Sequence, residues 1–137
     1  AWWEAAVKYG LEEKLRNLGR EIALQGELVG PGMNGNRDLL PERAFRVFRI
    51  WDIANQRYVP SGERVTLCGQ PAIPHVPVIA AAMDVFSELP TVDAVMKFAE
   101  GATDRGHERE GLVFKEADNA FPRSFKAVSN RYLLKLK

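Results

Sequence analysis

Two glutamates at the ends of apolar runs carry the first chemistry that this sequence suggests. Glu110 heads the run "GLVF", and by strand alternation it would share a face with Leu112 and Phe114. A carboxylate on an apolar face needs a metal, a cation or a hydroxyl as its partner. Glu27 ends another apolar run, next to the turn-rich segment "GPGMNGN". Solvated strand ends are the alternative interpretation of either glutamate taken singly.

The C-terminal segment adds a group of cations with no acid among them. Alternating residues of a strand project to one face, roughly 6.7 Å apart. If "RYLLKLK" is a strand, Lys135 and Lys137 project together, and an anion such as a phosphate chain would relieve their repulsion. Lysines that protect an edge strand from aggregation are the alternative. The basic residues after Phe121 are Arg123, Lys126, Arg131, Lys135 and Lys137. Together with the two glutamates, the paired lysines Lys135 and Lys137 suit a substrate that pairs a metal with a polyphosphate.

The elements that must position these residues mix helices and strands without strict alternation. Apolar residues at helical spacing predict a helix over residues 1–18, and Thr91 is placed to cap a helix that stops at Gly101. Residues 63–70 suggest a short helix. Alternating apolar residues predict strands in "EIALQGELV", "AFRVFRIWDI", "EGLVFKE" and "RYLLKLK". This order of elements predicts an α+β fold.

Composition and length bound the class of protein. The 137 residues suit one domain, and 46% hydrophobic with 27% charged residues is ordinary globular composition. No apolar run approaches 18 residues and no signal peptide is recognisable, so we expect no membrane partner. Cys68, the single cysteine, is expected to be buried, and its lack of a disulfide partner favours a cytoplasmic location. A net charge of +1 excludes a basic nucleic-acid coat.

Four segments resemble the motifs of covalent nucleotidyltransferases. "LQGELVGPGMNGN", "FRVFRIWDI", "EREGLVFKE" and "NRYLLKLK" are similar, in order and spacing, to motifs III, IIIa, IV and V of that superfamily, which holds ATP-dependent polynucleotide ligases and mRNA capping enzymes. The chain most resembles RNA ligases of the T4 RNA ligase 2 kind, in the branch of the Deinococcus RNA ligase. The resemblance implies part of an adenylyltransferase domain, with a mostly antiparallel sheet and flanking helices.

The resemblance also implies roles for individual residues. Glu27 would bind the ribose of ATP, and Glu110 would hold Mg²⁺ or Mn²⁺, or its water. Lys115 would lie near the nucleotide phosphates. Lys135 and Lys137 would contact the phosphates and neutralise charge as pyrophosphate leaves. We therefore expect Glu27, Glu110 and the two terminal lysines to face one pocket.

The aromatic residue of motif IIIa, which would stack on adenine, is best matched by Phe48. Members of the family usually carry an aspartate directly after this aromatic, but here Arg49 follows it. Asp52 is a candidate for the second acid of this strand. Phe45 and Trp51 therefore stay open as alternatives to Phe48.

The nucleophile of the family is missing from these residues. Motif I, K-x-D-G, supplies the lysine that attacks ATP, and the only lysines before Glu27 are Lys8 and Lys14, in "KYGL" and "KLRN". Residues 1–137 are therefore expected to be the C-terminal portion of a nucleotidyltransferase domain, without a lysine–AMP adduct of its own. The parent enzyme would seal RNA 5′-phosphate and 3′-hydroxyl ends, in nicked duplex for example, as in RNA repair. Such a portion is expected to self-associate through exposed apolar surface.

Two other functions compete with the RNA ligase interpretation. The same scaffold could serve as a non-catalytic nucleic-acid-binding module, in which case no motif I would accompany it. A fragment of a capping-type guanylyltransferase is the third interpretation, and a preference for GTP over ATP would favour it.

Overall fold

The computed structural model describes residues 1–136 and divides the chain into two compact units. The first unit contains Ala1–Ile79 and Ala117–Pro122, and the second contains Ala80–Glu116 and the residues from Arg123 onward. Helices and antiparallel strands occur in both units, which confirms the predicted α+β class. Among the described residues, no helix has the length and apolar character needed to cross a membrane.

The first unit is built on a three-stranded sheet in the order β1-β2-β3. Leu24 lies opposite Ile50 and Leu28 opposite Phe45, so alternate residues of the first two strands form the core face. Cys68 is buried in this core, as predicted. The elements are α1 (Trp2–Lys8), α2 (Leu11–Leu18), β1 (Ile22–Val29), β2 (Ala44–Asp52), β3 (Arg57–Tyr58) and α3 (Ser61–Gly69).

The single helix predicted over residues 1–18 is wrong, because the chain forms α1 and α2 with a break between them. Gly10 has a φ of +60° and a ψ of 37°, which is left-handed backbone. A left-handed residue cannot continue a right-handed helix, and glycine adopts this conformation at little cost. The strands predicted in "EIALQGELV" and "AFRVFRIWDI" are confirmed as β1 and β2.

A β-bulge interrupts the pairing of β1 with β2. Gln25 pairs with Arg49 and Gly26 pairs with Val47, so the register passes over Phe48. Val47 and Ile50 are both buried in the core, and Phe48 and Arg49 between them are only half-buried. The bulge therefore turns two consecutive side chains, Phe48 and Arg49, to the face opposite the core.

The second unit contains a β-hairpin flanked by helices. The antiparallel register runs from Gly111 opposite Val128 to Lys115 opposite Ser124, and Phe114 stacks on Phe125 with ring centroids 4.7 Å apart. The predicted cap is confirmed, because Thr91 Oγ1 accepts a hydrogen bond from the Ala94 amide at the start of α5. The elements are α4 (Val85–Glu88), α5 (Val92–Ala99), β4 (Gly111–Lys115), β5 (Ser124–Val128) and α6 (Asn130–Lys135).

The strand predicted over "RYLLKLK" is wrong, because Asn130–Lys135 form the helix α6. Ser129 caps this helix, its side chain accepting a hydrogen bond from the Tyr132 amide at 3.3 Å. Arg, Leu and Lys are good helix formers, so the cap decides between two patterns that the short segment allows. The strand that pairs with β4 lies earlier, in Ser124–Val128. Lys137 lies outside the described residues.

Candidate functional site

The face of the first sheet that points away from the core carries charged and aromatic side chains. Glu27 on β1 is exposed and lies opposite Arg46 on β2, and Gln25 lies opposite Arg49. Phe48 joins this face through the bulge. Directly paired residues of antiparallel strands project to the same side. This face therefore combines a carboxylate, guanidinium groups and an aromatic ring.

Gly26 makes the close approach of β1 to β2 possible beside Glu27. A Cβ atom at position 26 would lie 2.5 Å from the carbonyl oxygen of Arg46 and 2.5 Å from the ring of Phe45. Only glycine fits such a contact without a shift of the backbone. The glycine within "LQGELV" thus fixes the strand position from which Glu27 projects.

Aromatic rings form a cluster at the far end of β2. Trp51 packs edge-on against Tyr58 at a centroid distance of 4.8 Å. Phe121 lies 6.3 Å from Trp51 and 6.4 Å from Tyr58 and is exposed. The guanidinium carbon of Arg49 lies 4.6 Å from the centroid of the Tyr58 ring. Such a cluster offers ring faces and edges on which a base can stack.

The three aromatic residues that could match the stacking position of motif IIIa do not all lie on the same face of the first sheet. Phe45 is only 5% exposed and packs in the core 6.2 Å from Trp2, so its ring is not available for stacking on a ligand. Phe48 and Trp51 both belong to the open face by the strand pattern. The structure therefore removes one alternative and keeps two.

Asp52, the candidate second acid of this strand, has a clear structural role. Its carboxylate accepts hydrogen bonds from the Asn55 side chain at 2.9 Å, the Asn55 amide at 3.0 Å and Arg20 at 3.2 Å. The Asn55 hydrogen bonds, followed by the Arg20 guanidinium, hold the pKa of Asp52 below its usual range. Asp52 is buried and joins the loop after β2 to the start of β1.

In the second unit, Glu110 lies one residue before β4 and contacts a cation. Lys126 on β5 donates a hydrogen bond from Nζ to Glu110 Oε1 at 2.5 Å. The sequence predicted that this carboxylate needs a metal, a cation or a hydroxyl as its partner, and the structure supplies a cation. Gly111 has a φ of +156°, and a Cβ there would lie 2.0 Å from the Ala127 carbonyl oxygen. The glycine therefore allows the hairpin to close beside Glu110.

Lys126 shares a face of the hairpin with Lys115. Lys126 lies opposite Val113 and Lys115 lies opposite Ser124, so the two lysines are diagonal neighbours on one side. Val113 on this face is exposed. The hairpin thus carries two lysines on one face, whereas the sequence predicted such a pair at Lys135 and Lys137.

The sequence analysis counted Lys126 among the basic residues after Phe121 but predicted no strand for it. A signal was present: in "SFKAV", Phe125 and Ala127 alternate with Ser124 and Lys126, which is the pattern of a half-buried strand. Lys135 instead lies on the exposed helix α6, with its Nζ 3.7 Å from Glu108 Oε2. Its predicted place on a strand beside Lys137 is lost.

A preformed cluster of metal ligands is not present within residues 1–136: no group of three or more His, Cys, Asp or Glu side chains could hold an ion. Magnesium usually keeps several waters and binds proteins through one or two carboxylates together with substrate phosphates. Glu110, beside lysines that suit phosphate oxygens, fits that mode of binding, in which a phosphate ligand and waters supply the remaining oxygens.

The comparisons with known proteins decide the family. The model of the family described as RNA ligase matches residues 1–137. This chain belongs to the RNA ligase family. A search of curated proteins found no significant match.

Solved structures of a Naegleria gruberi RNA ligase are similar to this RNA ligase chain. An alanine variant of that enzyme with ATP and Mn superposes with a TM-score of 0.83 at 36% identity, over 97% of this chain and 40% of that chain. The same enzyme with PPi gives a TM-score of 0.82 at 36% identity, with the same coverage. Another alanine variant, with AMP and Mn, gives 0.82 at 35% identity. The chain thus spans about two fifths of the length of these relatives.

Proposed function

We propose that this RNA ligase chain contributes the nucleotide-binding and metal-binding residues of an ATP-dependent enzyme that seals RNA ends. The observation that carries the proposal is the β4–β5 hairpin, where Lys115 and Lys126 share one face and Lys126 contacts Glu110. Paired ammonium groups next to a carboxylate suit a metal-bound polyphosphate. The Naegleria gruberi structures with ATP and Mn and with PPi support the same chemistry.

Glu27, on β1, accepts hydrogen bonds from the ribose hydroxyls of ATP. Trp51 stacks on the adenine, because it lies on the open face and is followed by Asp52, which restores the aromatic–aspartate pair of motif IIIa. Phe48 is the competing assignment. Stacking on a base contributes on the order of 1–3 kcal/mol.

On the β4–β5 hairpin, Lys115 and Lys126 bind phosphate. Glu110 would hold a divalent cation or one of its waters, and a bound Mg²⁺ or Mn²⁺ would neutralise phosphate charge. Lys126 Nζ, which lies beside Glu110 Oε1, would donate to a phosphate oxygen. The competing assignment gives the phosphate contacts to Lys135 and Lys137.

The complete reaction needs a lysine nucleophile that these residues do not contain in a K-x-D-G motif. We infer that residues 1–137 are the C-terminal portion of a nucleotidyltransferase domain, in the branch of the Deinococcus RNA ligase. With motif I, the enzyme forms lysine–AMP, transfers AMP to an RNA 5′-phosphate, and joins it to a 3′-hydroxyl. Nicked RNA duplexes are its expected substrates.

Labelling with ATP tests whether this chain can form a lysine–AMP adduct. The chain is incubated with ATP labelled at the α-phosphate and with magnesium, and the products are separated under denaturing conditions. We expect no label on the 15.4 kDa chain. A labelled band at that mass would contradict the proposal. Equal or tighter binding of GTP than of ATP would favour a guanylyltransferase instead, and binding of RNA without any nucleotide would favour a non-catalytic module.

A further inference from the structure

A buried arginine in the first unit has no carboxylate partner among the described residues 1–136. Arg64 on α3 is 7% exposed, and its Nε donates a hydrogen bond to His75 Nε2 at 3.0 Å. Its Nη1 donates to Ser61 Oγ at 3.3 Å. No ion pair between Arg64 and an acid occurs within residues 1–136. A buried charge is costly unless it is paired, so this guanidinium calls for an anion.

His75 does not supply the missing negative charge. Its Nδ1 lies 2.6 Å from the Val76 carbonyl oxygen, which can only accept a hydrogen bond, so the proton sits on Nδ1. The other nitrogen, Nε2, accepts the hydrogen bond from Arg64, and an imidazole supplies no negative charge to balance the guanidinium. Burial, together with the nearby positive charge of Arg49, lowers the pKa of Arg64.

Arg49 is a second cation near this site. Its Nε is buried without a hydrogen-bond partner, and its Nη1 reaches only the Tyr58 hydroxyl, at 3.4 Å. The described ion pairs give it no carboxylate either. Both guanidinium groups reach the same short segment, Arg49 through the Tyr58 hydroxyl and Arg64 through Ser61 Oγ, and neither pairs with an acid within residues 1–136. Their mutual repulsion is relieved if a shared anion binds.

The backbone of β2 is hydrogen-bonded to other segments of the chain on either side of the bulge. Upstream of the bulge, the Val76 amide donates to the Val47 carbonyl, and downstream the Val59 amide donates to the Ile50 carbonyl, both at 2.9 Å. Phe48 and Arg49 lie between these two attachments. Arg64 contacts the chain near both of these hydrogen bonds, because its partner His75 is adjacent to Val76 and its partner Ser61 lies two residues after Val59. β-Bulges commonly occur next to functional sites, where they re-aim a side chain.

We propose that Arg49 and Arg64 form a phosphate-binding site at the bulge of β2. Arginine suits this role because its planar donors match phosphate oxygens in pairs. The ligand is a phosphate group, carried either by RNA or by a nucleotide. This site goes beyond the proposed function, whose phosphate contacts are lysines of the other unit.

NMR of the arginine side chains tests the site directly. The full 137-residue chain is titrated with inorganic pyrophosphate at constant ionic strength, and the Nε–Hε resonances are followed. We expect the Arg49 and Arg64 signals to shift in a saturable way and the signal of Arg57, an exposed arginine on β3, to stay in place. Absence of a saturable shift at both Arg49 and Arg64 would overturn the proposal.

Variants separate the site from general charge effects. R49Q is expected to weaken pyrophosphate binding at the remaining arginine at least tenfold, and R57Q, which removes the same charge from an exposed position, is expected to leave it unchanged. Equal losses in the two variants would overturn the proposal. If circular dichroism shows that R64Q folds, it is expected to weaken pyrophosphate binding to the same extent as R49Q. If R64Q does not fold, the result for R49Q alone tests the proposal.

Three further ligands identify the source of the phosphate. A 5′-phosphorylated RNA that shifts both arginines more than its 5′-hydroxyl counterpart indicates an RNA end, and equal shifts indicate the RNA backbone. Larger shifts with ATP indicate the nucleotide. No shift with any of them overturns the proposal. In K115Q and K126Q the arginine shifts are expected to persist with pyrophosphate, so failure of the lysine assignment is distinguishable from failure of this site.

Discussion

Lys126 Nζ lies 2.5 Å from Glu110 Oε1, which joins the middle of β5 to the residue before β4. The side chains of both residues are partly exposed, at 47% for Lys126 and 30% for Glu110. Such a pair contributes about 0.2–1 kcal/mol to stability. Because this contact contributes so little to stability, its replacement by contacts with a metal and a phosphate would cost little free energy. This suits a binding site better than a contact that holds the fold together.

Replacing Lys126 should therefore affect ligand binding more than stability. We expect K126Q to weaken ATP binding at least tenfold while the thermal midpoint stays nearly unchanged, because one phosphate contact is lost and the exposed ion pair stabilises little. Isothermal titration and thermal unfolding measure the two effects. K135Q, on the exposed helix α6, is the matched control. A larger loss of ATP affinity in K135Q than in K126Q would favour the original assignment of the phosphate contacts to the terminal lysines.

Closing of the β4–β5 hairpin depends on Gly111. We expect G111A to destabilise the chain by about 3 kcal/mol, since a Cβ there meets the Ala127 carbonyl oxygen at 2.0 Å. Urea unfolding measures the change. Gly106 also has a positive φ, of +81°, but no atom lies within 4 Å of its Cβ position, so G106A reports the backbone strain alone. Equal losses in the two variants would show that the steric contact does not matter.

Stability should fall in acid through Asp52. Its pKa is lower in the folded chain than the value of about 3.9 expected when unfolded. The stabilisation is therefore complete above pH about 4 and is lost as the pH falls through the lower folded pKa. D52N should flatten this part of the pH profile of the thermal midpoint. E21Q, which removes an exposed carboxylate of the same unit, should leave the profile as it is, and the same flattening in E21Q would contradict the assignment.

The two remaining candidates for adenine stacking give different outcomes with AMP. We expect W51A to weaken AMP binding by about 1–3 kcal/mol, which is the range for one base stacked on one aromatic ring. F48A should cause a smaller loss. The affinities are measured by titration calorimetry after circular dichroism has shown that both variants fold. A larger loss in F48A would return the assignment to Phe48.

The predictable parts of the fold are those where one pattern dominates. The alternation in β1 and β2 and the cap at Thr91 identified their elements because a single periodicity was present. "RYLLKLK" satisfies both a strand pattern and a helix pattern, and the contact that decides between them, Ser129 with Tyr132, lies at its start. The bulge at Phe48 depends on pairing with β1, which no local pattern reveals.

Of the two strands that carry Lys115 and Lys126, the sequence predicted β4 and missed β5. It indicated that Glu110 needs a partner and that paired lysines suit phosphate, and it assigned the pair to a strand at Lys135, where the structure has the helix α6. Lys126 comes to Glu110 through the hairpin, across 16 residues of sequence. Arg64 was missed because its burial follows from α3 packing on the core, and a charged residue in a short helix gives no sign of that.

Calorimetric titration of the chain with ATP and Mg²⁺ tests the central claim most directly. We predict saturable binding with one nucleotide per chain, tighter for ATP than for AMP, with the difference abolished by K115Q together with K126Q. E27Q should weaken ATP and AMP equally, because it acts on the ribose. Absence of saturable ATP binding by the folded chain, or an unchanged preference for ATP in the double lysine variant, would contradict the account.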